Sequence, residues 1–489
     1  MNILIVVSNP KDWLFEVSGV QVVTAQTYLT DPKYSAGSSA RVFNLCRSYR
    51  YQSLGYYVSL LAAARGHTPI PSVTTIQDLK SMSVIRAVSD DLDELIQESL
   101  SAIQSGVFTL SIYFGGNMAK RHARLSLALF NLFQAPFLRA HFAHDREEGW
   151  QLRSIRPIAA SEIPDSHRPF VVQQASAYFS RRHFHVRRRS VPRYSLAILY
   201  DPDAKDRPSD PAAIQKFERA AERLRMETEV ISRDDFARLA EFDALFLRET
   251  TSVMHHTYRF ARRAEAEGLV VIDDPLSILR CTNKVYLAEL MDRHGVPTPR
   301  TIIVNKDNVG RIISELGVPV VLKQPDSSFS QGVVKADNEQ ELQRLVDELL
   351  DKSELIVAQE FIATPFDWRI GILDRTPIYA CKYFMARRHW QVINRNGETT
   401  DEGEHETLPV ELAPTTVVST ALRAANLIGN GLYGVDLKQV GRQCYVIEVN
   451  DNPSIETGVE DKVLKGELYS RIMSVFLRRI EQRKFAWSP

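Results

Sequence analysis

The chain has 489 residues, with 60 basic and 60 acidic side chains that cancel to a formal charge of zero. That length predicts two to four domains, and the balanced charge argues against a global field that would draw the chain to nucleic acid or an anionic membrane. Four scattered cysteines (Cys46, Cys281, Cys381, Cys444) form no CxxC pair, which argues against a disulfide framework or a zinc site and suits a reducing, cytoplasmic setting.

Residues 1–180 read as a mixed α/β domain. The apolar start, Met1 to Pro10, is short, lacks a basic residue and is cut by Asn9-Pro10, so it reads as a first strand rather than a signal peptide. Strands are expected at Ile3–Val7, Val20–Thr24 and Thr109–Phe114, and helices at Ser39–Arg50 and Ala119–Phe133. Gly115-Gly116 reads as a turn before it reads as a phosphate cradle. Residues 181–193 hold six arginines and form the clearest internal boundary. A solvated linker is weighed there against an RNA- or phosphate-binding patch, and charge runs favour the linker.

Residues 194–272 alternate regularly: strand Ser195–Tyr200, helix Pro211–Arg225, strand Glu229–Ile231, helix Asp234–Ala240, strand Ala244–Leu247, helix His255–Glu267, strand Leu269–Ile272. This alternation predicts a small parallel sheet with crossover helices, whose ligands lie beyond the strand C-termini, where Arg248-Glu249 falls. From Asp273 the pattern becomes mixed α+β. Helices are expected at Lys284–His294, Glu339–Leu350 and Thr415–Ile428, and strands at Val318–Lys323, Leu355–Phe361 and Trp368–Asp374. The acidic insertion Asn394–Thr407 has no assignment.

The most informative segments lie near the C-terminus. Side chains on a strand alternate with period 2, so Glu448 and Asn450 point the same way. Asp436 lies twelve positions before Glu448. It can sit opposite Glu448 in an antiparallel hairpin if Gly441-Arg442-Gln443 forms a three-residue loop. Leu437, Ile447 and Val449 would then face a core. Oxygen ligands so arranged are what a Mg²⁺–phosphate site needs. Lys323 ends an apolar strand three residues before a small-residue loop containing Ser327, Ser328, Ser330 and Gly332. A lysine, hydroxyls and backbone N–H groups there could close over a triphosphate. Gln359, Glu360, Phe361 and Ile362 end a strand where an adenine could read the backbone. Arg369, beside Asp367, and Arg387 are candidate handlers of a phosphate or acyl phosphate. Residues 429–434 fit GxGxxG, but they follow a helix and precede a strand, the reverse of the dinucleotide order, and read as a helix cap and turn.

In this order Lys284, Lys323, the loop from Ser327, Gln359 to Ile362, Asp367 to Arg369, Gly434 to Asp436 and Glu448 to Asn450 resemble the RimK-like ATP-grasp ligases over about residues 195–480. The resemblance implies an ATP-grasp fold: a small open α/β pre-domain and two α+β subdomains clasping ATP. A separate mixed α/β N-terminal extension precedes it. It implies ATP held by Lys284, Lys323 and a flap, with two Mg²⁺ ions (Mn²⁺ as a substitute) between the phosphates and Asp436, Glu448 and Asn450. It implies a carboxylate attacking the γ-phosphate, and an amine opening the acyl phosphate to an amide. The single glycine of the flap and the Asp-Asn-Pro after Asn450 depart from the pattern.

The expected function is therefore an ADP-forming carboxylate–amine ligase with an amino acid, peptide or protein terminus as a partner, compatible with a homo-oligomer. Two rivals stand beside it. One is a ligase acting on a non-peptide small molecule. The other is a nucleotide-regulated protein that holds RNA or an acidic partner through its arginine cluster. Salt-sensitive RNA binding would mark the second.

Overall fold

The computed structural model describes the whole chain except residues 1, 14, 16, 18, 36–39, 146–148, 181–191, 327–331, 387–389, 397–398 and 486–489. The chain divides into two compact units. The first comprises residues 1–196 together with 225–227 and 234–243, and the second comprises 197–224, 228–233 and 244–489.

In the first unit β1 (Asn2–Val7), β2 (Gln21–Thr24), β3 (Ala40–Leu45) and β4 (Thr68–Ile70) form a parallel sheet in the order β2-β1-β3-β4. Of the helix expected over Ser39–Arg50, the described residues 40–50 are not helical: all six residues of β3 are buried. A strand covered on both faces loses the alternation that would identify it and reads as a continuous apolar run. β5 (Val107–Tyr113), β6 (Phe137–Asp145) and β7 (Gly149–Pro157) form an antiparallel sheet. A core of Leu110, Ile112, Leu129, Phe130, Phe142 and their neighbours includes this sheet.

β8 (Tyr194–Leu199), β9 (Met226–Ile231), β10 (Ala244–Leu247) and β11 (Val270–Ile272) follow in the order β11-β10-β8-β9, with β10 and β11 parallel. Their helices are α1 (Pro211–Arg223) and α2 (His256–Ala266). The segment Asp234–Ala240, expected as a helix, lies within the 3₁₀ helix Arg233–Glu241. Next come α3 (Pro275–Thr282), capped by Asp274, and α4 (Lys284–Arg293), capped by Asn283, whose side chain accepts from the Tyr286 N–H.

Two antiparallel sheets complete the second unit. β12 (Thr301–Val304), β13 (Val320–Lys323), β14 (Val333–Ala336) and β15 (Ile356–Glu360) run in the order β12-β15-β13-β14 and pack with α5 (Glu339–Leu350). β16 (Phe366–Leu373) and β17 (Thr376–Phe384) start the other sheet, and β18 (Ile393–Asn396) pairs with β19 (Thr399–Glu402) as a separate hairpin. β20 (His405–Leu408), β21 (Leu432–Val440) and β22 (Gln443–Asn450) complete the order β20-β17-β16-β21-β22. The unassigned insertion therefore ends as an edge strand of this sheet. Trp368, Ile370, Val435, Leu437, Val446 and Val449 form its apolar side with α6 (Thr415–Ile428), and the other face carries the polar groups. The long helix α7 (Gly466–Phe485) ends the described chain. Among the described residues no helix is long and apolar enough to cross a membrane.

Candidate active site

Register builds the polar face. Thr407 pairs with Cys381, Cys381 with Arg369, Arg369 with Asp436 and Asp436 with Glu448, giving one row across five strands. The next row runs Tyr379, Gly371, Gly434, Asn450. A Cβ on Gly371 would lie 2.2 Å from the Tyr379 ring, so glycine lets that ring lie flat across the strand.

Asp436 and Glu448 do face each other, but not by the expected loop. Val440 pairs with Gln443, so the turn has two residues, and the register shifts after Asp436. Ile447 is the extra residue of a β-bulge that restores the Asp436–Glu448 pair. The bulge also corrects the core assignment: Val446 and Val449 are buried, whereas Ile447 is only partly so and lines the cleft.

The carboxylates meet cations. Arg369 donates through Nε and Nη2 to Asp436 at 2.7 and 2.8 Å, a bidentate pair. Burial opposes the Arg369 charge, but Asp436 outweighs it and holds the guanidinium well above its usual range. Lys284, at the first turn of α4, places Nζ 2.9 Å from Glu448 Oε1. Burial works against the Glu448 carboxylate, yet Lys284 and Lys323 keep its pKa below the ordinary value. Asn450 donates Nδ2 to Asp436 Oδ2 at 3.1 Å, which turns its Oδ1 away from that carboxylate.

Lys323 is buried at the end of β13 and donates to Gln359 Oε1 at 2.7 Å; Gln359 in turn donates to Thr301 Oγ1 at 3.0 Å. Burial pushes the Lys323 ammonium down to about 8. Lys284, Lys323, Gln359 and Glu448 line one cleft with Leu287, Met291, Val357 and Ile447. Four predicted residues distant in sequence therefore share one wall. Gly332 closes the β13–β14 connection with φ +67°, where a Cβ would strike Gln324 Oε1 at 2.8 Å.

Other predicted residues are engaged elsewhere. Glu360 is paired with Arg300 at 2.9 Å. The Phe361 ring packs against Trp390 and under Lys335, and Ile362 is half-buried. Asp367 accepts from Lys438 Nζ at 2.6 Å and from Thr364 Oγ1 at 3.1 Å, and burial raises its pKa in spite of Lys438. Ser327, Ser328, Ser330 and Arg387 lie outside the described residues.

The set of Asp436, Glu448 and Asn450 offers only oxygen donors: two carboxylates and an amide. That composition fits a Mg²⁺-type ion, which takes one or two carboxylates and completes its shell with phosphate oxygens and water. Among the described residues no cluster of three or more His, Cys, Asp or Glu side chains is placed to hold a metal.

Sequence reasoning passed over several groups. Lys438 was findable, since it lies two residues after Asp436 on the same strand. Tyr383 was not: its ring faces the Arg369 guanidinium at 5.1 Å and its hydroxyl donates to buried Glu460. Arg248 was placed by the sequence beyond a strand end, but its partners were not: fully buried beyond β10, it donates to Asn452 Oδ1 at 2.7 Å, to the Pro453 carbonyl at 3.0 Å and to Ser209 Oγ at 2.8 Å. It thereby fixes the loop that follows Asn450.

Residues 25–174 match the model of the RimK-like ATPgrasp N-terminal domain, and residues 281–474 that of the RimK-like ATP-grasp domain. Over 227 residues the chain is 30% identical to a probable alpha-L-glutamate ligase 1 of Shewanella denitrificans, covering 45% of this chain and 74% of that protein. Over 203 residues it is 28% identical to the alpha-aminoadipate–LysW ligase LysX of Saccharolobus solfataricus, covering 40% and 70%. A solved D-alanine–D-alanine ligase from Bacillus anthracis is 17% identical, with TM-score 0.46, and covers 59% of this chain and 99% of that one.

Proposed function

The chain belongs to the RimK-like ATP-grasp ligases, and from that premise we propose that it joins the amine of an acidic amino acid, L-glutamate first, to the carboxylate of a second L-glutamate through an acyl phosphate, releasing ADP and phosphate. Relatives named alpha-L-glutamate ligase and alpha-aminoadipate–LysW ligase support an acidic amino acid as one partner. The observation that carries the chemistry is the row Arg369, Asp436, Glu448 beside two buried lysines.

A carboxylate is inert toward amines until one oxygen becomes part of a leaving group, and transfer of the γ-phosphoryl group achieves this. Lys323 and Lys284 would hold phosphate oxygens in a partly dry cleft, where each charge counts for more than in water. Two Mg²⁺ ions, or Mn²⁺ in their place, would be held by Asp436, Glu448 and Asn450, and when bound they neutralise the phosphate charge. Lys284 and Arg369 balance those carboxylates, and Lys284 would also bear on the phosphate oxygens. Arg369, kept ionised by Asp436, stabilises charge on the acyl phosphate as it forms and collapses.

The test is a coupled screen of ADP release with L-glutamate, L-α-aminoadipate and short acidic peptides. Substrate-dependent ADP and phosphate are expected. Stoichiometric AMP and pyrophosphate would replace the acyl phosphate with an adenylate and refute the proposal.

A further inference from the structure

Resting on the ligase reading above, we propose that Glu249 and His256 form the dyad that takes the proton from the attacking amine. Both lie beyond β10, at the end of the parallel sheet where ligands of open α/β sheets bind. Glu249 is buried and its Oε2 lies 2.6 Å from His256 Nε2. The side chain of His256 keeps 20% of its exposure, so the ring is reachable while its carboxylate partner is not. A carboxylate on Nε2 sets the tautomer with the proton there and leaves Nδ1 as the acceptor. None of the observed hydrogen bonds uses Nδ1.

The dyad is tied to the catalytic face. Asn452, two residues after Asn450, donates Nδ2 to the Glu249 carbonyl at 2.6 Å and accepts from Arg248 at 2.7 Å. The groups around the ring are few. His255 stacks on His256 with centroids 3.9 Å apart, and burial lowers the His255 pKa. Phe260 offers an apolar edge at 6.0 Å. Besides His256, the charged groups acting on His255 are Glu249 and Arg259.

The step balances. The ammonium gives one proton to His256 Nδ1, and the freed lone pair attacks the acyl carbon. As the C–N bond forms, the C–O bond to phosphate breaks, its electron pair leaves with the phosphate, and the second amine proton leaves as HPO₄²⁻. The amide, inorganic phosphate and an imidazolium facing Glu249 result.

Hydroxylamine separates this role from a structural one, because it is largely unprotonated at neutral pH and needs no base. In His256→Gln and Glu249→Gln, with melting temperature followed alongside, L-glutamate self-ligation should fall by about 10²- to 10⁴-fold, the usual reach of a general base. ATP-dependent hydroxamate formation from L-glutamate should stay within a few-fold of wild type. Parallel loss of hydroxamate and ligation, or ligation that survives the substitution, overturns the proposal. If the wild-type protein forms no ATP-dependent hydroxamate, the acyl-phosphate reading beneath it fails instead.

Discussion

At the scale of single residues, Lys323 holds the sharpest test. Its ammonium sits near pKa 8 instead of 10.5 because burial disfavours charge. Between those values the unfolded chain binds a proton that the folded chain has released, so stability rises with pH through that window; below about 8 the penalty of the buried charge is complete. A triphosphate reverses the preference and restores the charge. ATP binding between about pH 8 and 10 should therefore take up a proton, visible as a buffer-dependent binding enthalpy in calorimetry. Lys323→Met should abolish that uptake and weaken ATP by about ten- to a hundredfold, the worth of a charge-assisted hydrogen bond. Unchanged affinity in a folded variant would remove the lysine from the nucleotide site. Glu448→Gln supplies a second test, since it deletes a proposed metal ligand and the partner of Lys284. It should cost far more activity than Glu456→Gln, with the gap read as kcat at saturating Mg²⁺ and ATP.

At the scale of elements, the sequence revealed what period and spacing encode. Glu448 and Asn450 share a face because strands have period 2, and Asp436 lies at an even distance from Glu448. The turn length was misjudged because a two-residue turn with a bulge and a three-residue loop give the same pairing of these two positions. β3 was missed because full burial erases alternation, whereas α5 and α6, with one buried stripe each, were found at their observed bounds. The contacts of Arg248 were illegible for another reason: Asn452 lies 204 positions away and no local pattern links them. Burial pushes the Arg248 guanidinium down to about 10, and its hydrogen bonds fix the loop that leaves β22. Arg248→Met should strip that loop of its donors and cost about 3 kcal/mol, as expected when several buried acceptors lose a partner. Denaturant titration would measure it, and kcat should fall as well, since the loop begins at Asn450. A variant of wild-type stability would show that solvent replaces the arginine there.

At the scale of the whole molecule, the boundary in the sequence and the boundary in space differ. The arginine-rich stretch ends at Arg193, yet residues 225–227 and 234–243 belong to the first compact unit. One tie is a buried charge. Glu241 has no exposed surface, and Arg41 of β3 approaches its Oε2 at 3.3 Å and donates Nε to its backbone carbonyl at 2.7 Å. Tyr178, near the end of helix Arg168–Ser180, donates to Glu241 Oε1. A chain begun at Arg193 keeps Glu241 and Arg238, whose Nε lies 3.8 Å from its Oε1, but discards Arg41 and Tyr178. Breaking a buried ion pair costs about 3–5 kcal/mol, a large part of the stability of an ordinary domain, and the truncation removes with it the other contacts that Glu241 makes with β3 and helix Arg168–Ser180. Such a truncation should therefore melt well below the intact protein or aggregate, before any effect on substrates can be read from it. Glu241→Gln in the intact chain should destabilise, because there Arg41 loses its partner, whereas in the truncated chain, where Arg41 is already gone, the same change should cost much less. A loss of melting temperature that is larger in the intact chain is the expected result. Equal losses would show that residues 234–243 do not depend on Arg41 and Tyr178. The size of that difference separates the stabilising role of residues 1–180 from a role in acceptor choice, which the truncated chain can then report.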